Sequence, residues 1–199
     1  MSLDLSALTQ VHWLDESGLV VKVDAGKLGI ELERELDSRD YTLNHSPQSL
    51  DRSSVGGCVS TRASGQFSSR YGSIESLVVA LTVVLPAGEI VATPLAPRAA
   101  LGPYLRHVFM GAEGTMGVVV DVTLKIFAQA EHRRLETLRF PNVAAGLGAM
   151  QGMPTLSLPR WAVCWDRRRR NKGGRLKRIA VGSSPTGSIP RTRGWSMGE

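Results

Sequence analysis

A nine-residue run at residues 77–85, Leu-Val-Val-Ala-Leu-Thr-Val-Val-Leu, limits the folds open to this chain more than any other stretch. The run is β-branched and almost wholly apolar, which is typical of a central strand covered on both faces. The turn signal Pro86-Ala87-Gly88 follows, and Glu89-Ile90-Val91-Ala92 predicts a hairpin partner. The sequence therefore predicts a sheet that other elements cover.

Two further segments have the two-residue alternation of half-buried strands. In residues 18–24, the side chains on one side are Leu19, Val21 and Val23. Residues 116–127 form the most regular pattern of the chain. Its predicted inner side chains are Val118, Val120, Val122, Leu124 and Ile126, and its predicted outer ones are Asp121, Thr123 and Lys125.

Two segments have helical spacing. The first is predicted to open at Asp24-Ala25-Gly26 and to end at residues 38–40. It turns Leu28, Leu32 and Leu36 inward and Glu31, Glu33, Glu35 and Asp37 outward. The second carries Leu101, Leu105, Val108 and Phe109 on one face and stops at Gly111. The order of the elements predicts an α+β fold with a largely antiparallel sheet and packed helices.

From about residue 151 the periodicity ends and the charge changes. Residues 151–199 contain 11 Lys and Arg against 2 acidic residues, whereas residues 1–150 contain 13 basic and 16 acidic residues. Four successive arginines, Arg167 to Arg170, and three of the four tryptophans lie in this tail. Three interpretations fit: a nucleic-acid or acidic-membrane arm, a disordered solvated tail, or a segment translated out of frame.

Several classes of site and location are disfavoured by the sequence. Cys58 and Cys164 are too few for a disulfide framework or a four-cysteine zinc site, and the four histidines lack metal-ligand spacing. No run approaches the roughly 18–20 apolar residues of a membrane span. The amino terminus lacks the layout of a secretory signal, so we expect a cytoplasmic location. Because the cysteines and histidines do not form a ligand set, we expect no bound metal.

Residues 47–65 form a loop rich in glycine and serine. Small residues let a ligand approach the backbone, and successive N–H groups near a helix start can bind an anion. With hydroxyl donors at Ser53, Ser54, Thr61 and Ser64 and a fixed positive charge at Arg62, the loop suits a phosphate or pyrophosphate. The alternative is a helix of small residues packed tightly on the sheet, with hydroxyls capping its ends. Spacing alone leaves both interpretations open.

A second glycine loop, Gly-Ala-Glu-Gly-Thr-Met-Gly at residues 111–117, joins a predicted helix to a predicted strand. Its glycines indicate a sharp connection. Because three of its seven residues are glycines, the backbone of the loop could also lie against a flat ring system.

Taken together, residues 53–65, 70–79 and 113–119 resemble the FAD-binding domain of the vanillyl-alcohol-oxidase and p-cresol-methylhydroxylase (PCMH-type) flavoproteins. Ser-Thr-Arg-Ala-Ser-Gly at 60–65 and Pro-Gln-Ser-Leu at 47–50 are most similar to the alkyldihydroxyacetonephosphate (alkylglycerone-phosphate) synthases. FAD-linked glycolate and D-lactate dehydrogenases share a similar Glu-Gly-Thr-Met/Leu-Gly loop. The resemblance covers about residues 1–145.

The resemblance implies FAD as the cofactor, with several contacts through the backbone. The implied cofactor-binding residues are Gln48, Ser49, Leu50, Asp51, Arg52, Ser53, Ser54, Thr61, Arg62, Ala63, Ser64, Glu113, Gly114, Thr115, Met116, Gly117, Val118 and Val119. Three positions depart from the family pattern: Gln48 replaces an acidic residue, Arg52 a bulky apolar one and Cys58 a tryptophan.

Two parts of the family pattern have no counterpart in this sequence. One is an upstream Pro…Gly-Gly-Gly-Thr-Ser loop that wraps the pyrophosphate, and the other is the cap domain that supplies catalytic Tyr, His and Arg. We therefore expect a partial PCMH-type FAD-binding domain at 1–140, the start of a truncated cap at 141–150, and a basic, disordered or frame-shifted tail at 151–199. No catalytic residue is assigned in this chain.

The family implies an ether-lipid step, in which a fatty alcohol replaces the acyl group of acyl-dihydroxyacetone phosphate without net redox change. It also implies a lipid-like substrate and dimeric members. We expect this chain by itself to retain FAD weakly or not at all and to be inactive, and we expect no nucleic-acid partner. The alternatives are a fragment of an FAD-linked 2-hydroxy-acid dehydrogenase or oxidase, and a non-enzymatic decayed product or weak nucleotide-binding module.

Overall fold

The computed structural model describes residues 3–96, 102–130, 134–138, 140–152, 161–163 and 179–183. The chain divides into two compact units, Met1–Gln129 and Ala130–Glu199. All of the predicted cofactor-binding residues lie in the first unit.

The first unit is built on a five-stranded antiparallel sheet in the order β1-β2-β6-β4-β5, beside a small β3-β7 pair. Its strands are β1 (Val11–Asp15), β2 (Val20–Asp24), β3 (Tyr41–Thr42), β4 (Val78–Val84), β5 (Ile90–Ala92), β6 (Val118–Lys125) and β7 (Phe127–Ala128). Its helices are α1 (Gly29–Asp37), α2 (Val55–Ser60), α3 (Ser68–Tyr71), α4 (Ile74–Leu77) and α5 (Arg106–Phe109). The predicted α+β class with a largely antiparallel sheet is confirmed.

Most of the apolar run at residues 77–85 forms β4, between β6 and β5. Its first four residues are buried, and its end pairs with β5 in the predicted hairpin, Val84 opposite Ile90. The core also takes Leu32 and Leu36 from α1 and Val59 from α2. Helices on the sheet therefore cover the apolar surface that the run requires.

Helix α1 begins later than predicted, at Gly29 rather than at Asp24-Ala25-Gly26. Asp24 ends β2 instead, where its buried carboxylate accepts from the Gln10 amide at 2.8 Å and lies 2.7 Å from His12 Nε2. Glu33 was predicted to face outward, and this was wrong. Its carboxylate accepts from Thr42 Oγ1 at 2.9 Å and from the Leu43 amide at 3.1 Å, and burial raises its pKa.

Strand β6 departs from the predicted alternation because it contains a β-bulge. Asp121 lies opposite Thr82 and Val119 opposite Val83, which leaves Val120 as the extra residue. Val119 is buried, whereas Val118 and Val120 are only half-buried, so their predicted inward positions were wrong. Thr123, predicted to face outward, is also buried, because its strand lies in the middle of the sheet.

The second predicted helix is only one turn long, α5. Leu105 and Val108, predicted to share one helix face, are each 45% exposed. Leu101 lies outside the described residues. Gly111 has a φ of +77°, which suits a residue just after a helix end.

The second unit contains β8 (Arg134–Leu138), α6 (Val143–Gly152), β9 (Trp161–Val163) and β10 (Ile179–Ser183). Its strands form an antiparallel sheet in the order β8-β10-β9. The interpretations of the basic tail fall mainly outside the described residues, and the predicted boundaries at 140 and 150 stay predictions. Among the described residues, no helix is long and apolar enough to cross a membrane.

Candidate cofactor site

The short helix α2 occupies the middle of the first glycine-rich loop, and its first amides are already bonded. The Val55 amide donates to Lys27 O at 2.9 Å, the Gly56 amide to Ala25 O at 2.7 Å and the Gly57 amide to Ser54 Oγ at 3.1 Å. These amides therefore form no anion-binding concavity. For α2 itself, the interpretation as a capped helix packed on the sheet is confirmed.

The two sides of α2 differ in their accessibility. A Cβ at Gly56 would lie 2.7 Å from Ala25 Cβ, so only glycine permits this contact. Gly57 is exposed on the other side, and Thr61 Oγ1 donates to its carbonyl at 2.9 Å. This outer side presents bare backbone and a hydroxyl, as a cofactor contact requires.

The predicted contact segment 48–54 packs against the start of α1. The Gly29 amide donates to Ser53 O at 2.9 Å and the Ile30 amide to Leu50 O at 3.1 Å. Ser53 Oγ donates to Ser49 Oγ at 2.7 Å. The backbone of the turn is thereby fixed, while the exposed side chains of the segment are Gln48, Ser49, Asp51 and Arg52.

The second glycine loop is docked on the carboxyl end of α2. The Gly111 amide donates to Val59 O and the Glu113 amide to Ser60 O, each at 3.1 Å. Beyond this contact, Gly114 has a φ of +83°, and a Cβ built there would meet no atom within 4 Å. The structure thus brings the two predicted cofactor loops together and leaves bare backbone exposed at Gly114.

The remaining members of the second segment continue into the sheet. Thr115 and Met116 are exposed, and Val118 and Val119 pair with Val84 and Val83 of β4. The outer half of the segment is therefore accessible, whereas Val119 belongs to the core.

Arg62 joins the two loops through its side chain. Its Nε donates to Met110 O at 3.0 Å, its Nη2 donates to His107 O at 3.3 Å, and Glu75 Oε2 lies 3.7 Å from Nε. The neighbouring residues are held as well: Ala63 O accepts from the Ile74 amide at 3.1 Å, and Ser64 Oγ lies 2.9 Å from Ser73 Oγ.

His45 is a candidate that the sequence did not place in the site. It is 3% exposed, and neither ring nitrogen has a hydrogen-bond partner among the described residues. Burial lowers its pKa, so the ring is neutral and has one donor and one acceptor nitrogen to satisfy. Buried polar groups of this kind are normally paired. The only sequence signal was its position two residues before Pro47, at the edge of the loop.

The residues present fit a dinucleotide such as FAD. Exposed hydroxyls at Ser49 and Ser64 can donate to phosphates, bare backbone at Gly114 permits close approach of a flat ring, and His45 has an unfilled bonding requirement. Among the described residues, no group of three or more His, Cys, Asp or Glu could hold a metal ion. A groove of about 490 Å³ near Leu19 and Lys125 includes none of the predicted site residues.

Comparison with known proteins agrees with this geometry. The family model described as "FAD binding domain" matches residues 1–94. Alkyldihydroxyacetonephosphate synthase from Caenorhabditis elegans is 42% identical over 147 residues, which cover 74% of this chain and 25% of that protein. The chain belongs to the PCMH-type FAD-binding flavoproteins. Its cofactor is FAD, as the sequence predicted.

Other relatives of this flavoprotein chain extend the comparison. The uncharacterized FAD-linked oxidoreductase YgcU from Escherichia coli K12 is 41% identical over 125 residues, 63% of this chain and 26% of that protein. A solved structure of alkyldihydroxyacetonephosphate synthase superposes with a TM-score of 0.73 at 28% identity and covers 80% of this chain and 29% of that one. The chain spans about a quarter of the length of these curated relatives.

Proposed function

We propose that this chain supplies part of the FAD-binding region of a protein with alkyldihydroxyacetonephosphate synthase activity. One observation carries the proposal: the two loops that match the synthases in sequence are hydrogen-bonded to each other through Gly111 and Glu113. The 42% identity to the C. elegans synthase extends over 147 residues, which is 74% of this chain. The reaction would replace the acyl group of acyl-dihydroxyacetone phosphate by a fatty alcohol.

The chain's own residues would bind and orient the cofactor. Hydroxyls of Ser49 and Ser64 would donate to phosphate oxygens, and the backbone at Gly114 would lie beside the ring system. His45 would donate or accept one hydrogen bond. FAD, when bound, supplies a ring that can accept and return an electron pair during the exchange.

The substrate and assembly belong to the same proposal. The alcohol and acyl chains make the substrate lipid-like, and the protein would form dimers and lie in the cytoplasm. Residues outside this chain would supply the catalytic acid–base groups, because no catalytic residue is assigned within it. We therefore expect the chain by itself to bind FAD weakly and to turn over neither substrate class.

A second candidate is a 2-hydroxy-acid dehydrogenase that passes a hydride to FAD. It is favoured by the 41% identity to YgcU, an FAD-linked oxidoreductase. Both candidates use the same cofactor loops, so the substrate, rather than FAD binding, separates them.

A chimera tests the proposal. The matching 147-residue segment of the C. elegans synthase is replaced by that of this chain, and the product is assayed with acyl-dihydroxyacetone phosphate plus a long-chain alcohol, and with D-lactate or glycolate plus a dye acceptor. We expect ether formation and a bound flavin spectrum. A chimera that folds but holds no FAD, or that holds FAD and forms no ether, would contradict the synthase assignment.

FAD binding by the chain itself is measured by quenching of flavin fluorescence. We expect saturable binding that weakens about tenfold in a Ser49→Ala/Ser64→Ala double variant, since two hydroxyl donors are lost. Ser17→Ala is the matched control, because this hydroxyl lies in the β1–β2 turn and bonds only to Asp15. Equal weakening in the control would show that the two hydroxyls do not contact the cofactor.

A further inference from the structure

We propose that Arg62 is a positioning residue that locks the second glycine loop, residues 111–117, against the end of α2. The lock holds the exposed backbone of Gly114 in place for the cofactor. The proposal deepens the proposed function and rests on it for the identity of the bound group. It assigns Arg62 a different task from the phosphate contact that the sequence suggested.

The guanidinium reaches across to the segment that leads into the loop. Its Nε and Nη2 donate to Met110 O and His107 O, at 3.0 and 3.3 Å. Carbonyls at a helix end lack partners within their own helix, and the rigid fork of an arginine can satisfy two of them at once. The hydrogen bonds join residues that are 48 and 45 positions apart in the chain.

The ion pair with Glu75 contributes less than these hydrogen bonds. The Arg62 and Glu75 side chains are 47% and 40% exposed, so solvent screens their attraction. The carboxylate nevertheless offsets the charge that Arg62 brings to the loop. Two of the five guanidinium N–H groups are thus bound to backbone carbonyls, and the acidic neighbour balances the charge.

Backbone strain lies on both sides of the contact. Arg62 has a φ of +50° and Glu113 a φ of +49°, a left-handed region that residues other than glycine seldom adopt. The Glu113 amide donates to Ser60 O, two residues before Arg62. Strained residues persist where surrounding contacts fix them, and such residues cluster at ligand-binding segments.

Gly111 interlocks with the arginine side chain. A Cβ at this position would lie 2.7 Å from Arg62 Nε and 2.9 Å from Cδ and Cγ. The φ of +77° at Gly111 also requires glycine. The space that a side chain at 111 would need is therefore filled by Arg62, and the two positions should be coupled energetically.

Hydrogen exchange of the full chain tests the lock, with Arg62→Met and Arg62→Lys as variants. Methionine removes the charge and the fork, while lysine keeps the charge but provides a single-point donor. In both variants we expect the peptide covering residues 111–117 to exchange about tenfold faster, with β2 and β4 unchanged, because two charge-assisted hydrogen bonds are lost. FAD affinity should fall about tenfold in both variants.

The two roles of Arg62 give different results. If Arg62 bound a phosphate directly, lysine would restore FAD affinity and loop exchange would stay as in the wild type; that result overturns the proposal. Unchanged exchange in Arg62→Met also overturns it. If the wild type itself binds no FAD, the proposed function fails, while loop exchange in the apo chain still decides whether the lock exists.

A double-mutant cycle with Gly111→Ala gives an independent test by urea unfolding. In the wild-type background, the methyl group of Gly111→Ala is disfavoured by the positive φ and also contacts the Arg62 side chain. In the Arg62→Met background the positive φ is unchanged, but the more flexible methionine side chain can move away from the methyl group. We expect Gly111→Ala to destabilise the Arg62→Met background less than the wild type. Strictly additive effects would contradict the interlock.

Discussion

Gly56 and Gly57 are neighbours in α2, but they lie in different environments. Gly56 is buried against Ala25, whose Cβ would lie 2.7 Å from an added Cβ. We expect Gly56→Ala to lower the free energy of unfolding by about 1–3 kcal/mol. The added methyl group would overlap Ala25, and Ala25 can give way only if its backbone shifts. Urea unfolding of the chain without FAD measures the change.

Gly57→Ala is the matched control for this prediction. Among the described residues, only Ser54 Oγ lies near its added Cβ, at 3.2 Å, and alanine favours a helix over glycine by about 1 kcal/mol. We expect a change in unfolding free energy below about 1 kcal/mol in either direction. Equal losses at the two positions would show that α2 does not pack on Ala25 as described.

His45 predicts a pH dependence of stability. Burial lowers its pKa in the folded chain below the ordinary 6.5, so the unfolded chain binds the proton more readily. Its contribution to stability is therefore complete above about pH 6.5 and is lost as the pH falls below this value. We expect His45→Leu to lose less stability than the wild type between about pH 7.5 and 5.5.

Denaturant unfolding at both pH values checks this difference. Glu33 acts with the opposite sign, because its raised pKa makes the folded chain gain stability as the pH falls. This contribution is common to both proteins and cancels in the comparison. Parallel pH profiles of the wild type and His45→Leu would show that the buried ring does not titrate as expected.

At the scale of the element, strand β6 shows the limit of pattern-based prediction. The inward positions of Val122, Leu124 and Ile126 were assigned correctly, since all three are buried, although Thr123 between them is buried as well. The bulge at Val120 then shifts the strand by one residue and turns Val119 into the core. A bulge depends on the partner strand, so no local pattern indicates it.

The bulge predicts the cost of two adjacent substitutions. We expect Val119→Ala to lower the free energy of unfolding by about 2 kcal/mol, because it removes two buried methyl groups and leaves a cavity. Val120→Ala should cost about half as much, since Val120 is only half-buried. Urea unfolding of the two variants measures both losses of stability. A larger loss in Val120→Ala than in Val119→Ala would support the regular alternation without a bulge.

At the scale of the whole molecule, the first unit contains its own core. Every buried residue of the core cluster lies between Val21 and Ile126, within Met1–Gln129. We expect residues 1–129 expressed alone to unfold cooperatively, with a urea midpoint close to that of the full chain. A non-cooperative transition in the shorter chain would show that its stability depends on residues after 129.

The basic tail makes a second prediction at this scale. With 11 Lys and Arg against 2 acidic residues in 151–199, a nucleic-acid arm would bind DNA with strong salt dependence and lose that binding on deletion of the tail. We expect no such tail-dependent binding at physiological salt. Fluorescence anisotropy with a labelled duplex, at low and at physiological salt, measures it for the full and shortened chains.

The sequence by itself determined the α+β class, the buried strand β4 with its hairpin, the flavoprotein family and FAD, because apolar periodicity and contiguous motifs are local properties. Only the tertiary structure decided that α1 begins at Gly29, that Glu33 turns inward and that the amides starting α2 are bonded to the protein itself. It also decided that Arg62 bonds to carbonyls 45 and 48 residues away. Each of these features depends on which distant groups compete for the same hydrogen bond or the same space.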